Sequence, residues 1–309
     1  MQAAVCTRYG PPEVLRLAEV DRPLPGPDDV RIKVAATAVT TSDCFVRGFR
    51  VKPSLWIPGR LVLGITRPRR PVLGMVFAGD VDTVGRNVTS VAVGQAVYGF
   101  DRFGFGCYAE YKCLRADSVI APKPTNLGCE QAAALPYGGL LARSFLRGRI
   151  RPGHNVLVYG ASGAVGTAAV QLAKHDGARV TGVCGPDNLG LVASLGADAV
   201  IDYTRQDVTL GGERYDLVFV AVGDRVGPPS RKQCRRILTP DGGYVAVDHG
   251  RPVLNAEDLK VLTQLAEAGE FTPVIDRRYP LAQLAEAHRY VERGHKKGNV
   301  VVTVSQTSP

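Results

Sequence analysis

Several chemistries are excluded by what this chain does not contain. Its seven cysteines (Cys6, Cys44, Cys107, Cys113, Cys129, Cys184, Cys234) include no C-x-x-C pair, and their number is odd. Reduced thiols are therefore expected rather than a disulfide framework. No group of His and Cys has metal-ligand spacing, so no metal site is expected. No apolar run is long enough to span a bilayer, and the opening MQAAVCTRYG has no apolar signal core. A cytoplasmic protein with no membrane partner is the expectation. The net charge is +9, yet no basic helix with interleaved aromatics is present, and the densest cluster, Arg67, Arg69 and Arg70, is broken by prolines. The charge reads as a solvated surface, and no nucleic-acid partner is expected. Internal repeats and low-complexity segments are also missing.

What remains is ordinary for a globular protein: 309 residues, 45% hydrophobic and 22% charged, a length that suggests two domains. The stretch that organises the chain is NVLVYGASGAVG, Asn155 to Gly166. Val156, Leu157, Val158 and Tyr159 read as a buried parallel strand. The chain then breaks at Gly160, passes through Ala161, Ser162 and Gly163, and enters a helix by Gly166. A strand, a small-residue turn and a helix N-terminus make an anion site, because the turn amides point outward and the helix dipole favours a pyrophosphate. Gly163 would let a phosphate approach the backbone, and Gly166 would let helix and sheet pack closely. Ala161 stands where the usual first glycine would be, so an ordinary strand–turn–helix joint is the competing reading.

The flanks differ in character. Residues 1–50 read as β-rich, with MQAAVCTRY and VRIKVAATAV as strands and a short helix after Ser42 or Asp43 as cap. Residues 51–73 carry four prolines and read as a loop, either over a substrate cleft or simply packed. Glycine-punctuated short strands from 74 to 121 suggest a small β barrel. Beyond 155, strands at 179–184, 198–203, 215–223 and 242–247 alternate with helices, one of them Ser230 to Leu238. That alternation predicts a parallel sheet covered by helices. Asn255 caps a helix reaching Ala268, Leu281 to Arg293 forms a last helix, and 299–304 a closing strand.

With these pieces in order the chain resembles the medium-chain dehydrogenase/reductase superfamily, in its zinc-free, quinone-oxidoreductase-like (zeta-crystallin-like) branch. The resemblance rests on CTRYGPPEVLRL, GMVFAGDVDTVGRNVTSVAVG, YAEY, AALPYGGLLA, VLVYGASGAVGTAAVQLAK, SLGADAVIDYT, VLNAEDLK and AHRYVERGHKKGNVV. It implies an α/β protein: a GroES-like β-rich catalytic domain (1–123 and 276–309) plus a Rossmann doubly wound parallel sheet (124–275). It implies hydride transfer from NADPH, slightly favoured over NADH, to a small hydrophobic quinone or enone, without zinc. The zinc enzymes place a Cys and a His–Glu pair where this chain has Thr40, Thr41, Ser42 and then Gly74, Met75, Val76. The resemblance assigns the cofactor to Ala161, Ser162, Gly163, Ala164, Val165, Gly166, Asp187, Tyr203, Arg205, Val222, Gly223 and Asn299. Thr40, Asp43 and Tyr137 are the catalytic candidates, with Lys52 a further proton donor to weigh; for Asp43 a helix cap and for Tyr137 simple packing are the alternatives.

Departures from the branch are also legible. Thr40 replaces an Asn near the nicotinamide, Leu141 a Thr, and Asn299 a Lys. After the second nucleotide-domain strand stands CGPDN, with Asp187 where a 2′-phosphate would need a cation. A carboxylate about 4 Å from a phosphate costs roughly 4 kcal/mol at an effective dielectric near 20. Asp187 could instead accept from the ribose hydroxyls of NADH, or Tyr203 and Arg205 could meet the phosphate. The join at 248–254 is short, which thins the expected nicotinamide half and puts the usual homodimer edge in question. These departures leave open a repurposed member, a cyclase or isomerase of a polyketide-like substrate, or a non-catalytic ligand-binding protein.

Overall fold

The computed structural model describes residues 1–51, 56–223 and 227–304, and these form two compact units, Met1–Pro136 with the C-terminal residues from Ile275, and Tyr137–Val274. Lys52 lies outside the described residues. In the first unit β1 (Gln2–Cys6) pairs with β2 (Leu15–Glu19) as a separate antiparallel ribbon. A second sheet is built on the long β3 (Asp29–Val39), followed by α1 (Thr41–Gly48) and α2 (Trp56–Leu63). β4 (Val76–Val84), β5 (Ala96–Phe100), β6 (Tyr111–Arg115) and β7 (Val119–Pro122) follow, and α3 (Cys129–Ala133) packs on β3 and β4. The β-branched residues Val30, Ile32 and Val34 alternate inward along β3 and meet Phe77, Val81, Val97 and Ile120, which fixes the face of each strand.

The second unit opens with α4 (Pro136–Leu146), whose first residue belongs to the preceding unit, and continues through β8 (Asn155–Tyr159), α5 (Ala164–His175), β9 (Arg179–Cys184), α6 (Leu189–Ser194) and β10 (Ala199–Asp202). β11 (Tyr215–Val220), α7 (Arg231–Cys234), β12 (Leu238–Ala246) and α8 (Ala256–Glu267) complete it. Its sheet has five strands in the order β10-β9-β8-β11-β12, all parallel. Order reverses between β8 and β11, which places a crevice beyond the carboxyl ends of those two strands. The chain then returns to the first unit as β13 (Ile275–Pro280), α9 (Leu284–Glu292) and β14 (Asn299–Thr303), the last pairing with β3 and so extending its sheet.

Three sequence expectations are corrected. The cap of α1 is Thr40, not Ser42 or Asp43: its side chain accepts from the Asp43 amide while the Asp43 carboxylate accepts from the Thr40 amide, a reciprocal capping box. Residues 56–63 of the expected loop are the helix α2, because Pro58 falls in its first turn, where a missing N–H costs nothing. The helix read over 230–238 shrinks to Arg231–Cys234, since Ile237 and Leu238 are drawn toward the sheet beside Tyr215.

Candidate functional site

The crevice in the second unit is made by small residues, each there for a different physical reason. Gly160 directly follows β8 at φ +80°, and a Cβ on it would collide with Val222, two residues past β11. Only glycine holds that conformation without strain. A Cβ on Gly166 would overlap the Gly160 carbonyl and lie 2.7 Å from Ala161 Cα, so that glycine lets α5 press onto the turn. A Cβ on Gly138 of α4 would meet Val165 N at 3.4 Å after overlapping the Ala164 carbonyl, which seats α4 against the start of α5.

Gly163 is different. It caps α5 in extended geometry (φ −79°, ψ 175°), which any residue adopts, and no side chain caps the helix. A Cβ there would find only the Gly160 carbonyl, 3.7 Å away. The fold therefore does not require a glycine at 163, yet one is present where the helix start opens outward. The first amides of α5 have no intrahelical partner by construction. Ser162 and Gly163 are half-buried and Ala161, Ala164, Val165 and Gly166 buried, so no bulky side chain fills the hollow at Gly163. The residues fit a diphosphate.

The nucleotide candidates that belong to this unit follow the carboxyl ends of the same sheet. Gly185 follows β9, and a Cβ on it would sit 3.7 Å from the Tyr203 hydroxyl. The Tyr203 ring lies 6.5 Å from that of Tyr159. Arg205 is exposed and pairs loosely with Asp202 at 3.7 Å, and Asp187 is exposed in the turn after Gly185. A Cβ on Gly223 would lie 3.1 Å from Asp248 Oδ2, so the join 248–254 folds back toward the crevice. There Val253 N donates to Ser144 Oγ on α4 at 2.8 Å. Tyr137 opens the unit, half-buried on α4 beside Gly138.

The remaining candidates, Thr40, Asp43 and Asn299, belong to the first unit. The register that pairs Val300 with Val39 carries Asn299 and Thr40 to the same end of the β14–β3 ladder, both buried. Thr40 Oγ1 donates to Asp43 Oδ2 at 2.6 Å, and the Thr40 amide donates to the same oxygen at 2.9 Å. Burial raises Asp43 to about 6, with the hydrogen bonds of Thr40, Tyr108 and Gly74 pulling the other way. Beyond it runs a polar line that the sequence does not disclose. Tyr108 Oη lies 3.2 Å from His288 Nε2, and His288 Nδ1 lies 3.5 Å from Cys44 Sγ. Burial, with Arg47 adding to it, holds His288 neutral down to about 3. Tyr108 and His288 are 180 positions apart, so no spacing rule could join them. Among the described residues no group of three or more His, Cys, Asp or Glu could hold a metal.

Comparison with known proteins shows which family the chain matches. The family model described as an alcohol dehydrogenase GroES-like domain matches residues 26–125, and one described as a zinc-binding dehydrogenase matches 195–257 and 248–302. The chain is 31% identical to an NADPH-dependent alkenal/one oxidoreductase of Arabidopsis thaliana, over 98% of this chain and 79% of that protein. It is 32% identical to a 2-methylene-furan-3-one reductase of Solanum lycopersicum, with the same coverage. Among solved structures, the quinone oxidoreductase from Coxiella burnetii superposes with a TM-score of 0.83 at 28% identity, covering 99% of each chain.

Proposed function

The chain belongs to the medium-chain dehydrogenase/reductase superfamily, with its quinone-oxidoreductase-like members, and from that premise we propose an NADPH-dependent reductase of quinones or of C=C bonds conjugated to a carbonyl, acting without zinc. The observation that carries the reading is Gly163: a glycine that neither backbone nor packing demands, at an uncapped helix start opening on the crevice between β8 and β11. That is what close approach of a diphosphate to the amides of Ala164 and Val165 requires. The reading without redox chemistry is set aside, since the relatives compared are named as oxidoreductases and reductases.

A bound reduced nicotinamide supplies the hydride. The chain's own residues hold, orient and shield. Tyr203 and Gly185 would hold the adenosine end, and Arg205, exposed nearby, would meet the 2′-phosphate. Asp43 is a positioning residue: its carboxylate holds the Thr40 hydroxyl and amide and so fixes the start of α1. Tyr137 is the proton donor we favour, a half-buried phenol on the helix that abuts the cradle. Zinc independence is supported by the donor set, because the positions where zinc relatives carry Cys, His and Glu hold Thr40, Met75 and Val76, and none of these is a zinc ligand. The test is oxidation of NADPH by the purified protein with a small quinone and with an alkenal, before and after a chelator. Turnover that survives the chelator supports the reading; no oxidation with either substrate overturns it.

A further inference from the structure

The helix α2 is built inside out. Ile57, Leu61 and Val62, with Ile65 just past its end, are 58–68% exposed and fall on one face by their spacing. The charged residue points the other way. The Arg60 guanidinium lies 3.8 Å from the centre of the Phe49 ring, 4.8 Å from Tyr9 and 5.1 Å from Trp56. A surface helix normally turns its charge to water and its aliphatics to the core. Here the aromatic cluster holds the cation, and the aliphatic residues are left outside.

The surrounding charge says what covers them. From Cys44 to Gly79 the sequence has seven Lys or Arg and no Asp or Glu. Arg47 and Arg50 pair with Glu292. Arg67, Arg69 and Arg70, exposed just beyond α2, find no carboxylate within 4 Å among the described residues. Arg67 and Arg69, with Thr7 and Thr66, line a cavity of about 550 Å³ next to Ile65. A second copy of this chain is a poor match, because an isologous contact would bring this acid-free segment against itself. No helix among the described residues is long and apolar enough to cross a membrane. We propose that α2 and its arginine-rich flank form an in-plane docking surface for an anionic lipid bilayer. The aliphatic face enters the headgroup–acyl boundary while the arginines meet the lipid phosphates. The helix has only two turns, so neither contribution suffices alone.

The chain carries its own reporter, since Trp56 is the only tryptophan and stands 52% exposed. The experiment mixes the intact 309-residue chain with vesicles of phosphatidylcholine alone or with added phosphatidylglycerol, reading Trp56 emission and cosedimentation. The expected result is a blue shift and sedimentation with the anionic vesicles only, reversed by high salt. Replacing Arg67→Gln and Arg69→Gln together should weaken association about 20–30-fold, roughly fivefold for each charge. Ile57→Ser with Leu61→Ser, both at exposed sites, should abolish the blue shift while circular dichroism stays unchanged. No response to anionic vesicles, or equal binding to neutral ones, overturns the proposal. A blue shift that grows with protein concentration and needs no vesicles overturns it in favour of a second copy. Binding that survives the Ile57→Ser, Leu61→Ser variant also overturns it. None of these readouts depends on NADPH turnover.

Discussion

Replacing Gly163 with valine should separate what the fold needs from what the ligand needs. Residue 163 is in extended backbone geometry, and its Cβ would meet nothing nearer than the Gly160 carbonyl at 3.7 Å. The folded protein should therefore lose only about 0.5–1 kcal/mol, the difference between a glycine and a β-branched N-cap. The ligand loses far more. A branched side chain over the first amides of α5 denies the diphosphate at least two charge-assisted hydrogen bonds, each about 1.5–3 kcal/mol, or roughly a hundredfold to ten-thousandfold in affinity. The assay is thermal unfolding with and without NADPH. At a hundred times Kd the wild type should gain about 2.7 kcal/mol by linkage, which is about 5–10 °C in Tm for a domain of this size. Gly163→Val should melt near the wild type without nucleotide and show no rise with it. Gly166→Ala is the contrasting control. Its Cβ would overlap the Gly160 carbonyl, so its apo Tm should fall by an overpacking cost of about 1–3 kcal/mol. A Gly163→Val protein that keeps the nucleotide-induced rise would falsify the cradle, and so would a wild type that shows none.

Other consequences follow from charges in defined places. Arg205→Ala should raise KM for NADPH about fivefold, the modest loss expected for an exposed cation, and leave KM for NADH unchanged; equal effects on both would remove Arg205 from the 2′-phosphate. Asp43 is held near 6 against an ordinary 3.8, so the folded state keeps its proton longer than the unfolded chain. That stabilisation, about 3 kcal/mol, is complete below pH 4 and is lost as pH rises through 6. His288, held near 3 against 6.5, acts in the opposite direction: its contribution is complete above pH 6.5 and is lost as pH falls toward 3. The stability read by urea unfolding should therefore rise more steeply with pH between 3 and 7 in Asp43→Asn, and its rise should shrink or reverse in His288→Gln; two profiles parallel to the wild type would refute the assignment. Glu292→Gln leaves the fully buried Arg47 side chain without its carboxylate and should cost about 3–5 kcal/mol; a loss under 1 kcal/mol would show that Arg47 is otherwise satisfied.

Much of the nucleotide half was legible because its signals are local. The strand from Asn155, the glycine break and the helix from Ala164 all follow from adjacent residues, and the structure has each where periodicity puts it. The Asn255 cap was legible for the same reason, since its side chain accepts from an amide three residues on. The α1 cap was misread by two or three residues, although the Thr-x-x-Asp pattern was there to be read. The segment 51–73 misled through its prolines. They mark loops on average, but Pro58 sits in a helix's first turn, where proline is tolerated.

The class of fold, the alternation that builds a parallel sheet and the glycine turn are written in local sequence, because each depends on residues a few positions apart. The tertiary structure alone decided that Gly166 is demanded by packing and Gly163 is not, since the two are alike as letters and differ only in what would face a Cβ. It alone joined Cys44, Tyr108 and His288 into one buried line, and turned Arg60 inward over three aromatic rings. Such pairings form across tens to hundreds of positions, where burial and distance, which no local pattern encodes, set the charge a group can carry.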